Sequence, residues 1–142
     1  MTRIMKIHHV AMVVEDIETS LKFWRDGLGL NLDQVRHVPE QDAAIAILPV
    51  GEGEIELVQP IGQGSGLARY LAKKGQGMHH LCIQVDQITP LLSGLKQKGF
   101  RLINEEPVQE ENGKKYAFIH PESTGGVLVE LYELPANSKL SE

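Results

Sequence analysis

Two histidine pairs, His8-His9 and His79-His80, each open an apolar run, HHVAMVV and HHLCIQV. Two glutamates stand in similarly apolar settings, Glu56 in GEIELVQP and Glu130 in GVLVELYELP. A carboxylate in such a strand is expensive to bury without a partner. The four features come in matched order. The second histidine pair follows the first by 71 residues, and Glu130 follows Glu56 by 74, a drift that loop-length differences absorb. Two imidazoles and two carboxylates suit a borderline divalent cation such as Zn²⁺, Co²⁺, Mn²⁺ or Ni²⁺, with coordination positions left for substrate oxygens.

The elements that must position these side chains are also written twice. Each copy reads β-α-β-β-β. In the first copy, Lys6–Val14 is a strand. Asp16 caps a helix whose Ile17, Leu21, Trp24 and Leu28 share a face. Strands are expected over Leu30–Val38, Ala43–Leu48 and Glu54–Gln59, with Pro49 and Gly51 marking a turn. In the second copy, His79–Val85 is a strand, and its helix carries Ile88, Leu91, Leu92 and Leu95 on one face. Thr89-Pro90 suits the start of that helix, because proline is tolerated at the first helical position. Strands follow over Phe100–Asn104, Lys115–Ile119 and Val127–Tyr132. A short helix, Ser65–Lys74, lies in the glycine-flanked connection and has no repeat partner. The organisation expected is one domain, 1–142: a first module at about 5–61, a linker helix at 62–76, a second module at 77–134 and a polar tail at 135–142.

Strand alternation assigns faces. Val10, Met12 and Val14 take the helix side of the first strand, and His9 lies opposite with Ile7, Ala11 and Val13. Leu81, Ile83 and Val85 take the helix side in the second copy, with His80, Cys82 and Gln84 opposite. Glu130 shares a face with Leu128 and Tyr132, away from Val127, Val129 and Leu131. Two such modules related by a pseudo-two-fold would curve an eight-stranded sheet around a cleft, an α+β fold in which His9, Glu56, His80 and Glu130 converge. His8 and His79 are out of phase and read as packing residues. Cys82 shares the His80 face and reads as packing rather than as a ligand. His37 and His120 lack repeat partners; His120, in a His-Pro turn, is a candidate for touching substrate.

Composition narrows the partners. The chain has 142 residues, 42% hydrophobic and 23% charged, a size that buries roughly two-thirds of its unfolded surface. The net charge of −5 includes no basic run, which argues against nucleic acid. The single cysteine excludes an intrachain disulfide and fits a reducing compartment. The sequence contains neither a signal-peptide pattern nor a stretch of membrane-spanning length, so a cytoplasmic protein without a membrane partner is expected.

The strings HHVAMVV, PEQDAAIAILPVGEGEIELVQP, GMHHLCIQV, INEEP and HPESTGGVLVEL carry a resemblance that runs from about Lys6 to Leu134. They resemble the vicinal oxygen chelate (glyoxalase) superfamily and, within it, the methylmalonyl-CoA epimerases. The resemblance implies an isomerase of propionate metabolism. It would epimerise (2R)- and (2S)-methylmalonyl-CoA by removing and returning the α-proton through a metal-stabilised enolate. It places metal ligands at His9, Glu56, His80 and Glu130, with Gln or Glu usual at the second of these positions. It places the acid/base pair at Glu40, in PEQ, and Glu130. Read without it, Glu40 is one glutamate in a polar connection. The resemblance further implies one divalent ion per active site, Co²⁺ first and Zn²⁺, Mn²⁺ or Ni²⁺ as alternatives, and a homodimer. For the substrate's other groups the candidates are Lys73, Lys74, Lys114 and Lys115 near the CoA phosphates. His120 and the backbone N–H groups of Ser123, Thr124, Gly125 and Gly126 are candidates at the acyl end. Rival readings are a glyoxalase I-like isomerase, an extradiol dioxygenase or a non-enzymatic small-molecule binder.

Overall fold

A computed structural model describes residues 2–136; the tail expected from 135 onward therefore lies mostly outside the described residues. Eight strands and three helices alternate as two βαβββ series. The chain divides into two compact units, one from His9 to His79 and one of the residues on either side of it. The cuts fall inside each histidine pair. The residues up to and including His8 group with the second half, where the Arg3 N–H donates to Asp86 Oδ1 at 2.7 Å and the Asp86 N–H to the Arg3 carbonyl at 3.1 Å.

In the 9–79 unit the strands lie in the order β2 (Gln34–Val38), β3 (Ala43–Val50), β4 (Gly53–Pro60) and β1 (Ile4–Val13). β4 runs parallel to β1, and β2-β3-β4 is antiparallel. Apolar side chains cover both faces of this sheet. Val14, Ala44, Ala46, Leu48 and Leu57 pack on helix α1 (Ile17–Leu21) through Ile17 and Leu21. Ala11, Ala43, Ile45, Ile47 and Val58 form the opposite face, the one expected for His9. α1 begins at Asp16, whose Oδ2 accepts from the Thr19 N–H at 2.9 Å, as an N-cap should.

The helix then departs from the expected pattern. Lys22–Gly27 is a π-helical segment, with the Leu28 N–H donating to the Phe23 carbonyl five residues back at 2.7 Å. The wider turn keeps Trp24 against the core but rotates Leu28 off the face, to 56% exposure. The strand expected from Leu30 starts only at Gln34. Leu30 donates its N–H to Trp24, and it packs with Leu32 against the α1 core as irregular chain. Pro49 lies within β3, and the turn itself is Gly51-Glu52, with Gly51 at φ 57°. Helix α2 (Gly66–Lys74) follows, with the Ser65 hydroxyl capping the Ala68 N–H at 3.0 Å.

In the other unit the order is β5 (Gly77–Val85), β8 (Val129–Glu133), β7 (Lys115–Ile119) and β6 (Val108–Gln109), with β5 and β8 parallel. Val85, Ala117, Ile119 and Leu131 pack on α3 (Ile88–Gln97) through Ile88 and Leu92, with Leu91 and Leu95 alongside. Cys82, Tyr132 and Leu134 cluster on the opposite face. α3 starts at Ile88, so Pro90 is its third residue rather than its first. That costs nothing, because the first turn's N–H groups have no intrahelical acceptors. Phe100–Asn104 is not a strand. Only Leu102 bridges to Ile119, the Asn104 side chain takes the Phe118 N–H at 2.8 Å, and Pro107 has no N–H to extend a ladder. β8 begins two residues later than expected because the Val127 N–H is held by Thr124 Oγ1. Among the described residues no helix is long and apolar enough to cross a membrane.

Candidate active site

Each strand-borne histidine meets a glutamate in its own unit. On β1, His9 is 4% exposed, and its Nδ1 lies 3.3 Å from Glu56 Oε2 on β4. The parallel register places Glu54 beside His9 and Glu56 beside Ala11. Glu54 and Glu56, two apart on one strand, therefore share the His9 face. One ligand atom from each of His9, Glu54 and Glu56 lies within 4.8 Å of the others. Burial, and then the Glu56 carboxylate beside it, hold the Glu54 carboxyl above the usual glutamate range, against the opposing pull of His9. Glu54 carries no signal in the sequence reading. The register of β1 against β4 is what singles it out.

In the second unit, His80 Nε2 lies 3.1 Å from Glu130 Oε1, with Glu130 8% exposed. The Phe118 ring meets His80 edge-on at 5.6 Å and walls it on one side. Cys82 stands opposite Glu130 in the ladder and is fully buried. The out-of-phase histidines pack as expected, His8 against Tyr132 at 4.7 Å and His79 against Tyr70 at 4.8 Å. Two nearly buried imidazole–carboxylate pairs are a donor set that fits a borderline divalent ion, and an apolar binding pocket has no use for them.

Glu40 lies in a 3₁₀ turn, Pro39–Gln41, between β2 and β3, and its side chain is exposed. Asp42 closes that turn in the left-handed region at φ 48°. His37 is exposed on β2. Lys73 and Lys74 are exposed in the last turn of α2. Lys114 is drawn to Glu110 at 3.3 Å and stacks over Tyr132, and Lys115 lies 4.0 Å from Glu133.

The segment after His120 is a closed turn. The Ser123 N–H donates to the His120 carbonyl, and those of Thr124 and Gly126 donate to that of Pro121. The Thr124 hydroxyl bonds the Val127 carbonyl, and Ser123 Oγ accepts from the Arg101 N–H at 2.7 Å. The expectation that the whole Ser123–Gly126 backbone offers donors is thus corrected: three of its four N–H groups are engaged within the turn. His120 Nδ1 accepts from the Glu122 N–H at 3.0 Å, which fixes the neutral ring as the Nε2–H tautomer.

The sequence pattern of the glyoxalase/bleomycin resistance protein/dioxygenase superfamily matches residues 8–118. The chain belongs to this superfamily. Within it the relatives include methylmalonyl-CoA epimerases. The mitochondrial methylmalonyl-CoA epimerase of Mus musculus is 39% identical over 127 residues, 89% of this chain and 71% of that one. Among solved structures, a hypothetical protein from Bacillus halodurans C-125 superposes with a TM-score of 0.87 at 36% identity, covering 94% of this chain and 97% of that one. A methylmalonyl-CoA epimerase in complex with methylmalonyl-CoA and NH₄⁺ superposes at 0.81, with 25% identity over 94% of this chain and 97% of that one. The paired βαβββ architecture read from the repeat is therefore the glyoxalase fold. Members of the superfamily typically hold a divalent metal, and the His9 cluster is a set able to take part in holding one.

Proposed function

We propose that the chain is a methylmalonyl-CoA epimerase, in which the His9–Glu56 and His80–Glu130 pairs hold one divalent ion and Glu40 and Glu130 move the proton. The observation that carries the reading is the recurrence of a buried His–Glu pair at repeat-related positions, in a chain whose relatives include epimerases of this substrate. We take the ion to be Co²⁺, the protein to be cytoplasmic and the working state to be a homodimer.

The chemistry follows from the substrate. Its α-carbon lies between a thioester and a carboxylate, so the α-hydrogen is acidic for a C–H. One glutamate, ionised, takes that proton, and the C–H electron pair moves into the thioester carbonyl to give an enolate. The other glutamate, protonated, gives a proton to the opposite face of the carbon. The two then stand with roles exchanged, ready for the reverse reaction. The bound ion supplies Lewis-acid stabilisation of the negative charge that develops. A carboxylate of ordinary basicity is a weak base, and a dry cleft around it strengthens it. The His120 Nε2–H is the donor we assign to the acyl end of the substrate.

The test is deuterium incorporation. The protein is incubated with methylmalonyl-CoA in D₂O, with and without chelator, and the α-proton is followed by NMR. Rapid wash-in that chelator abolishes, with loss of stereochemical purity, is expected. A metal-loaded protein that exchanges no α-proton overturns the epimerase reading.

A further inference from the structure

Glu40 is exposed, so its placement depends on the backbone that carries it. Val38 pairs with Ala43, which makes residues 39–42 the whole connection between the antiparallel strands β2 and β3. Pro39–Gln41 coil as a 3₁₀ turn, and the chain must then reverse its hand to re-enter β3. Asp42 makes that reversal, at φ 48° and ψ 51°. Among the described residues it alone has positive φ without being a glycine. The hairpin between β6 and β7 is built alike. There the Gly113 N–H donates to the Glu110 carbonyl at 2.9 Å, as the Asp42 N–H does to that of Pro39 at 3.1 Å, and Gly113 sits at φ 89°. The left-handed residue is thus what the turn requires. The Asp42 carbonyl in addition accepts from the Ile61 N–H at 2.7 Å, which ties the turn to the end of β4, the strand that bears Glu56. The next residue, Ala43, is fully buried and anchors the chain beyond the turn in the core.

We infer that Asp42 is a positioning residue, whose left-handed backbone holds the Pro39–Gln41 turn, and with it the Glu40 carboxylate, in its working place. The inference rests on the assignment of Glu40 to proton transfer in the proposed function. Aspartate enters the left-handed region more readily than most residues, and glycine enters it freely, whereas a β-branched residue is forced out of it. A residue that leaves the region redirects the chain across the turn and swings Glu40. A displacement of about 1 Å between groups that must align costs on the order of 10²-fold in rate. His9 and Glu56 stand on β1 and β4, not on the turn, so the change spares them.

Turnover of methylmalonyl-CoA by the metal-loaded full chain tests this in wild type, Asp42→Val, Asp42→Gly, Glu40→Gln and the double variant Glu40→Gln/Asp42→Val. Asp42→Val should lose about 10- to 100-fold in kcat, with KM and metal content near wild type. Asp42→Gly, which takes the left-handed conformation without strain, should restore kcat. In the Glu40→Gln background Asp42→Val should cost nothing further, because it acts through a group already removed. A general weakening of the fold would lower both backgrounds alike. Thermal melts report whether each variant folds, and Asp42→Ala replaces Asp42→Val in the same scheme if the latter does not. Wild-type kcat in the folded Asp42→Val or Asp42→Ala protein overturns the inference. So does a loss in Asp42→Gly equal to that in Asp42→Val, or full additivity in the double variant. Wild-type turnover in Glu40→Gln instead removes the assignment of Glu40 itself, so the two failures are distinguishable.

Discussion

In the first copy of the repeat His9 meets its glutamate through Nδ1, whereas in the second His80 uses Nε2. The backbone scheme around the two is otherwise closely shared. Each histidine leaves a strand paired in parallel with the strand of its glutamate. Each copy also closes its helix start from the last strand: Gln59 Oε1 accepts from the Ile17 N–H and Glu133 Oε1 from the Ile88 N–H, both at 2.8 Å. These two acceptors stand 74 residues apart, the same interval as Glu56 and Glu130. The helices themselves differ, because α1 opens into a π-helical turn and α3 stays regular. The repeat thus preserves what positions the side chains, while the polar detail at each position has diverged, with Glu54 on one side and Leu128 on the other.

The comparison predicts unequal glutamates. Glu130 is assigned both ligand and proton-carrier, and Glu56 ligand alone. Glu130→Gln should lower turnover on the order of 10⁴-fold and reduce the metal content as well. Glu56→Gln keeps an oxygen ligand and should stay within about tenfold of wild type with metal retained. Turnover and metal analysis on the same preparations decide it. Equal losses from the two would mean that the halves of the repeat contribute symmetrically to the chemistry, and the division of roles would fall.

Glu40 sharpens the same contrast from the first half, since it is exposed on a turn and far along the sequence from any ligand. Glu40→Gln should cost roughly 10²–10⁴-fold in turnover while metal content stays that of wild type. The sign of the outcome separates it from Glu130, where metal and turnover fall together. Turnover unchanged in Glu40→Gln would leave the proton on one face of the substrate without a carrier from this residue.

Much of this was legible in the residues because it depends on period and composition. The repeat and the faces of the strands follow from apolar alternation, and the short α2 from the stretch between glycine-rich ends. What escaped depends on backbone hydrogen bonds that no pattern announces. Leu28 fits a helical face at 3.6 residues per turn and loses it where i→i−5 bonds take over. Phe100–Asn104 alternates like a strand, but the Asn104 side chain occupies the ladder's donor. The glycines of the STGG string suggested open N–H donors, and the turn consumes most of them. Glu54 needed the register, which fixes a neighbour 45 residues away in sequence. Glu40 was invisible from either direction and rests on resemblance alone.

The smallest expected effect lies at the helix starts. Asp16 caps α1 by accepting from the Thr19 N–H and hydroxyl, and these bonds hold its carboxyl below the ordinary value of 3.8. The repeat-equivalent of Thr19 is Pro90, which has no N–H, and the equivalent of Asp16 is Gln87, which makes no capping bond. A depressed folded-state value means that the cap stabilises fully above the unfolded value and is lost as pH falls through the folded one. Asp16→Ala should therefore melt below wild type at neutral pH, and the gap should narrow as pH falls below the ordinary value of 3.8. Gln87→Asp should raise the melting temperature little at any pH, because the donor that an N-cap carboxylate would meet at the third helical position is absent. A clear gain from Gln87→Asp would show that α3 has another N–H within reach and that the two helix starts are more alike than their sequences.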